Sequence, residues 1–290
     1  MSESIQTALR TRARELMELG EVSCVIGYER SPRGRVRPAF IYDPADAERL
    51  VWDDTCHHNL MVYLHDRKTP PRRGEEVPRV AVVAKPCDVR ALNVLLHEGQ
   101  IEREKVFVIG VACAGMCDEG TENELQARCR RCTERVPIFY DTLVGEPPKV
   151  APVDEDWADV AELEGLSAAE RLAFWAREFD RCIRCYACRQ ACPGCYCFEC
   201  MAEQVEPLWM SIAIELPEKA FFHVMRAYHL AGRCVECDAC EQACPMHIPL
   251  SLLNRKLAKE VEALFGYRAG GDPDTPPPLA TFRKDEELPL

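Results

Sequence analysis

The sequence predicts an α/β unit with a mostly parallel sheet, followed by a mainly α-helical, cysteine-rich unit. Three observations predict it. Helical and strand-like periods alternate through the first half, as in a layered α/β fold. No strand-like run follows residue 181. The 18 cysteines divide unevenly: seven lie between Cys24 and Cys132 and eleven between Cys182 and Cys244. A chain of 290 residues is long enough for two cores. The reading assigns residues 1–145 to the α/β domain, 146–180 to a linker and connecting helix, 181–266 to the cysteine-rich domain and 267–290 to a proline-rich tail.

Taken in order, Ile5, Leu9, Leu16 and Leu19 share one face of a helix over 5–19. Apolar runs over Val22–Tyr28, Arg37–Tyr42, Val80–Ala84 and Val106–Ala112 read as strands. The last two are β-branched and nearly continuous, as strands covered on both faces of a parallel sheet are. Between them, Asp88 is placed to cap a helix that runs to about His97 and turns Val89, Leu92 and Leu96 inward. The segment GEPPKVAPVDED, Gly145 to Asp156, has no period and reads as a linker. Ser167 and Glu170 then form a capping-box pattern ahead of Leu172, Phe174, Trp175 and Phe179. A helix is expected over 218–231, with Ala220, Val224, Ala227 and Tyr228 on one face, and another over 250–265. Pro273, Pro276, Pro277 and Pro278 predict a tail that is extended over a surface or disordered.

Composition excludes several function classes. The chain carries 36 basic and 48 acidic side chains, a net charge of −12, so it has no net field to hold a polyanion, and nucleic acid is excluded as a partner. The longest apolar run, Val106 to Gly115, is about half of what a bilayer requires, so no membrane span is expected. Met1 to Arg14 is polar and basic without the apolar core of a secretory signal, which predicts a cytoplasmic protein. Thiols in this number inside a reducing compartment point to metal rather than disulfides.

The strongest signal is a repeat. Cys182, Cys185, Cys188, Cys192 and Pro193 spell C-x2-C-x2-C-x3-C-P, and Cys234, Cys237, Cys240, Cys244 and Pro245 spell it again. Three cysteines at two-residue gaps wrap around three irons of a cubane, and in two-cluster proteins the fourth cysteine of each run ligates the other cluster. The spacing therefore assigns one [4Fe–4S] cluster to Cys182, Cys185, Cys188 and Cys244, and a second to Cys234, Cys237, Cys240 and Cys192. Structural zinc also accepts four thiolates and is the alternative. Cys195, Cys197 and Cys200 follow the first run as spare thiols or as an additional site for zinc or a further cluster, with a fourth ligand from Cys24, Cys56 or a histidine.

In the first half, Cys87 and Cys113 lie at the carboxyl ends of two predicted strands, the edge where open α/β sheets bind ligands. Cys129 and Cys132 form C-x2-C, and two strand-end cysteines plus such a pair can close four ligands around a cluster or a zinc ion. Cys117 is a substitute for Cys113. Cys24 reads as a small buried hydrophobe, and Cys56-His57-His58 as a helix-edge thiol with solvated imidazoles.

Residues 20–145 resemble the beta subunits of deazaflavin-dependent hydrogenases and formate dehydrogenases. The likeness rests on Lys85-Pro86-Cys87 at a strand end, on Ile109 to Cys113, on Cys129 to Cys132 running to Tyr140 through Gly145, and on Asp43-Pro44 to Asn59-Leu60. By that resemblance Cys87, Cys113, Cys129 and Cys132 would hold a third [4Fe–4S] cluster. The family's Ser-Gly-Gly segment near its flavin is replaced by Thr7-Ala8-Leu9-Arg10, and the stretch from Cys113 to Cys129 is shorter, which argues against a flavin. Residues 181–266 resemble the α-helical two-cluster ferredoxin domain of heterodisulfide and fumarate reductase iron–sulfur subunits. Beta subunits of sulfhydrogenase and anaerobic sulfite reductase are a second comparison.

Together these readings predict a non-catalytic iron–sulfur electron-transfer subunit. It would relay electrons between other redox subunits of an anaerobic formate dehydrogenase, hydrogenase or heterodisulfide-reductase-like complex. A flavin-containing oxidoreductase acting on a deazaflavin or nicotinamide is the rival, and a zinc-held scaffold is the third reading. No G-x-G-x-x-G follows a strand, which counts against a Rossmann-type nucleotide site.

Overall fold

A computed structural model describes residues 2–67, 72, 74–118, 124–149 and 151–278. The first helix, α1 (Ser2–Glu18), buries Ile5, Leu9, Ala13 and Leu16 in one stripe. Leu19 falls just beyond it and is 69% exposed. Gly20 at φ +69° turns the chain away there, so the apolar period outruns the helix by one residue.

Strands β1 (Val25–Arg30) and β2 (Val36–Ile41) form an antiparallel hairpin with Val25 opposite Ile41. β3 (Val80–Ala84) runs parallel to β1 and to β4 (Val106–Val111), and β5 (Thr142–Val144) lies parallel to β4. The order is β2-β1-β3-β4-β5, a mostly parallel sheet with one antiparallel edge strand, as the sequence predicts. β3 and β4 are buried at every residue, and each fully buried Val or Ile contributes about 1.5–3 kcal/mol over an exposed one.

The crossover from β3 to β4 is α2 (Pro86–His97). It begins two residues before the expected cap. Proline has no N–H to lose at the first helical position and its φ is already helical, so Lys85 caps the helix. Asp88 sits one turn in, its carboxylate accepting the Lys85 backbone N–H at 2.9 Å. Two 3-10 turns, Pro44–Arg49 and Leu60–Arg67, had no periodic signal, yet bury Ala47, Leu60, Met61 and Leu64.

The remainder is helical: α3 (Ala127–Arg130), α4 (Ala158–Glu164), α5 (Ala168–Asp180), α6 (Ala187–Gln190), α7 (Leu216–His229), α8 (Ala239–Gln242) and α9 (Leu250–Phe265). Among the described residues no strand follows β5. α5 opens on the expected capping box: Glu170 N–H donates to Ser167 Oγ at 3.3 Å and Ser167 N–H to the Glu170 carboxylate at 2.8 Å. α7 turns inward a face that shares Ala227 with the expected one but is rotated away from Val224 and Tyr228. Phe222, His223, Arg226 and Ala227 are buried, while Val224 and Tyr228 are exposed.

The main core joins the sheet, α1 and α2 to Val235, Cys237, Ala239, Tyr267 and Ala269, so the second cysteine motif packs into the same apolar cluster as the strands. A smaller core gathers Cys182, Cys188, Met210, Phe222, Cys240, Ile248 and Leu250. Past Gly266 the chain lies back along α2: Arg90 donates to Ala269 O at 2.9 Å and Asn93 to Asp272 O at 2.9 Å. Gly270, at φ +65°, fits only because it lacks a side chain, since a Cβ there would stand 2.1 Å from Arg90 O. The predicted tail beyond residue 278 lies outside the described residues.

Candidate functional site

The two cysteine motifs adopt the same backbone. Arg184 and Tyr186 flank Cys185 at φ +53° and +59°, and Glu236 and Asp238 flank Cys237 at φ +58° and +51°. Left-handed backbone at a non-glycine residue costs roughly 1–2 kcal/mol, and it occurs here four times at matched positions. It curls amide N–H groups toward sulfur: Arg184 N–H lies 3.3 Å from Cys182 Sγ, and the amides of Glu236 and Ala239 bond Cys234 and Cys237. Surrounding charges hold the loops. Arg184 donates to Ala213 O at 2.7 Å, Asp238 accepts from Arg131 at 3.0 Å, and the Glu236 carboxylate pairs with Arg255 and Arg268.

The grouping of thiols crosses between motifs. Cys182, Cys185 and Cys188 line one cavity with Cys244, beside Phe222 and His223. Cys192 stands instead with Cys234, Cys237 and Cys240, within electrostatic reach of each. Burial pushes the Cys188 thiol up to about 11 and raises Cys234 and Cys237 as well. Asn254 donates to Cys240 Sγ at 3.7 Å. His223, stacked on Phe179 at 4.9 Å between centroids, lines the first set.

In the sheet unit, Cys87 lies in the first turn of α2 and Cys113 just past β4, at the carboxyl ends of adjacent parallel strands. Gly115, at φ +115°, bends the following loop so that Cys129 on α3 returns beside them. Cys87, Cys113, Cys129 and Cys132 line one cavity together with Arg90 and Arg128. Met116 N–H lies 3.2 Å from Cys129 Sγ, and burial pushes Cys113 up to about 11. Cys117 does not line this cavity; its N–H is bound to Asp54 O at 2.7 Å.

The three further cysteines line a separate cavity. Cys195, Cys197 and Cys200 share it with Met201, Arg226 and His229, and Cys195 hydrogen-bonds Cys192. The distant ligands considered for them are elsewhere: Cys24 is buried ahead of β1, its C=O accepting from Ala81 N–H at 2.9 Å, and Cys56 is buried near Asp53. Of the candidates, His229 is the one that lines the cavity. Among the described residues no three His, Cys, Asp or Glu side chains are gathered tightly enough for a single metal ion.

Sequence reasoning missed the polar residues between these sets. Arg128, buried, donates to the C=O of Cys237 and to His57 O at 3.0 Å. Arg226, buried on α7, donates to Cys188 O at 3.1 Å. Asn59 bonds the Cys237 thiol. Lys85, 1% exposed, pairs with Asp88 at 2.9 Å, donates to His58 O at 2.8 Å and lies over the Tyr28 ring at 4.9 Å. The one available signal was Arg128 beside Cys129 in A-R-C-R-R-C.

No protein-family model matches the chain. Among curated proteins it is similar to the F420-dependent formate dehydrogenase subunit beta of Methanocaldococcus jannaschii, 36% identical over 292 aligned positions that cover 69% of this chain and 76% of the relative. It is also similar to the F420-dependent formate dehydrogenase 1 subunit beta of Methanococcus maripaludis, 24% identical with 69% and 75% covered. Among the described residues no helix is long and apolar enough to cross a membrane. The relatives agree with the resemblance read from the strand-end cysteines, and the chain belongs to the family of formate dehydrogenase beta subunits.

Proposed function

We propose that this chain is an iron–sulfur electron-transfer subunit that relays electrons between other subunits of a formate-dehydrogenase-type complex. The observation that carries the reading is the crossed grouping of thiols, three from one motif with the last cysteine of the other. In this reading Cys182, Cys185, Cys188 and Cys244 hold one [4Fe–4S] cluster, and Cys234, Cys237, Cys240 and Cys192 hold a second, within a helical two-cluster ferredoxin domain over 181–266. Cys87, Cys113, Cys129 and Cys132 hold the third in the α/β domain, 1–145. A bound cubane supplies one-electron chemistry at a potential set by its surroundings.

The donor chemistry fits that group. Four thiols with amide N–H donors aimed at sulfur suit a cubane, whose ligands sit on separate irons. A zinc ion with Zn–S of about 2.3 Å would draw its sulfurs within about 4 Å of each other. Cys185 is exposed, which puts the first set at the surface, where an electron can leave to a partner. The set around Cys237 lies between the other two. Arg128 links it to the sheet-unit set, and Arg226 links it to the first set. Cys195, Cys197 and Cys200 share a separate cavity and are either spare thiols beside a cluster or ligands of an additional zinc or cluster site.

The rival, a flavin-bearing oxidoreductase acting on a deazaflavin, draws on the names of the relatives. One measurement separates the readings: iron, acid-labile sulfide, zinc and flavin on anaerobically purified protein. The relay predicts about 12 iron with matching sulfide and no flavin. About eight iron with zinc would confine clusters to the C-terminal unit, and stoichiometric flavin would favour the rival.

A further inference from the structure

We infer that Arg128 and Arg226 are charge-compensating residues between successive clusters, each raising the reduction potential of both sites it separates. The inference rests on the relay reading above. Each guanidinium is more than nine-tenths buried, and each is anchored to the backbone of a ligand loop. Arg128 grips Cys237 O from α3, next to Cys129. Arg226 grips Cys188 O while lying within reach of Cys192 and Cys240.

What distinguishes the two from most neighbouring cations is the lack of a carboxylate. Among the described residues Arg184 also lacks one, but it flanks Cys185 in a single ligand loop and spends its donors on Ser211 O, Ala213 O and the Tyr186 hydroxyl, so it separates no two sets. Arg131 pairs with Asp238 at 3.0 Å, Arg255 with Asp159 at 2.9 Å, and Lys85 with Asp88 at 2.9 Å. Arg90, over the same cavity as Arg128, has Glu134 at 3.5 Å. Among the described residues neither Arg128 nor Arg226 has a carboxylate within salt-bridge distance; Arg128 spends its other donors on Gln126 Oε1 at 2.8 Å and His57 O at 3.0 Å. An unpaired buried guanidinium is costly and cannot shed its proton. Asp238 acts on Arg128 from beyond salt-bridge distance, but its own close partner is Arg131; ligand thiolates with their clusters would supply the missing anion at both arginines. Each electron added to a site deepens that negative charge. A fixed cation therefore favours the reduced form, and one placed between two sites offsets the repulsion between two electrons on neighbours.

The test uses the full chain, purified anaerobically, with Arg226→Met, Arg226→Lys, Arg128→Met and Arg128→Lys. Iron and sulfide are counted first, then each cluster is titrated by low-temperature paramagnetic resonance at set potentials. The expected result is that Arg226→Met lowers the reduction equilibrium of the two C-terminal clusters tenfold or more, 59 mV for one electron, and leaves the sheet-unit cluster unmoved. Arg128→Met should do the same for the sheet-unit cluster and its C-terminal neighbour, while the lysine variants keep most of the wild-type potential. Unshifted potentials at full iron content overturn the inference. So do equal shifts in the Met and Lys variants, or loss of iron in both, because the role is then packing. Wild-type protein without iron and sulfide would instead overturn the relay reading.

Discussion

Replacing Arg255 by Met should destabilise the chain and loosen the second cysteine loop. Arg255 is 1% exposed and reaches from α9 to three partners: Nε and Nη2 bind Asp159 at 2.9 and 3.0 Å, Nη2 also donates to Asp156 O, and Nη1 binds Glu236, the left-handed residue ahead of Cys237. Its plane lies 4.7 Å over the Trp157 ring. Breaking a buried pair by removing one partner costs about 3–5 kcal/mol, because the other charge is stranded. Here the stranding is partial. Glu236 keeps Arg268 at 3.1 Å, and Asp159, 39% exposed, can take water. Methionine also restores apolar contact with Trp157. The lower end applies, about 3 kcal/mol. At ~2–4 °C per kcal/mol for a chain of this size, the melting temperature should fall by about 6–12 °C. The assay is thermal unfolding followed by circular dichroism under nitrogen, with iron counted before and after mild heating. Lys256→Met, which removes partly exposed pairs with Glu164 and Glu260, is the control and should leave the melting temperature nearly unchanged. A fall of less than ~2 °C for Arg255→Met would refute the reasoning, as would a control that falls equally far.

Other outcomes follow from the same geometry. Cys185→Ser should lose about four irons and one paramagnetic signal while the rest remain; Cys237→Ser should lose the middle signal, and full iron with unaltered spectra in both would show that the ligand sets are wrong. Gly270→Ala, with a Cβ 2.1 Å from Arg90 O at φ +65°, should cost roughly 2–4 kcal/mol from strain and overpacking together; protease sensitivity confined to residues past 266 would report the displaced segment. Burial pushes the Cys56 thiol up to about 12, so at pH 8 it lies far below its titration and stays protonated. Only the thiolate alkylates. Iodoacetamide at pH 8 should therefore modify exposed Cys197 and reach Cys56 only in denaturant, as peptide mass mapping would show; equal rates in the folded chain would contradict this.

The sheet was legible because β3 and β4 are continuous β-branched runs, and the cysteine motifs because their spacing repeats twice along the chain. The inward face of α7 was not. Amphipathic reading assumes that apolar residues face a greasy interior, whereas the space beneath α7 is ringed by thiols and receives Arg226 and His223, leaving Val224 and Tyr228 to solvent. The 3-10 turn at Leu60–Arg67 escaped because three residues per turn matches neither the helical nor the strand period. Asp88 misled because both its cap and its third-position roles place a carboxylate in the first turn; Pro86 decided between them. Arg128 and Arg226 act through backbone carbonyls contributed from far along the chain, and no local pattern encodes that.

Val235, Cys237, Ala239, Tyr267 and Ala269 complete the same core as the strands, and this sets a schedule for biosynthesis. All five strands have been made once residue 144 leaves the ribosome, yet the surface that receives those later side chains has no cover until residue 269 follows. At roughly 5–20 residues per second that gap is about 6–25 s. During it, the emerging sheet presents bare hydrocarbon and the Cys87 and Cys113 thiols to the cell, a window in which a chaperone can reach a surface that the finished chain closes.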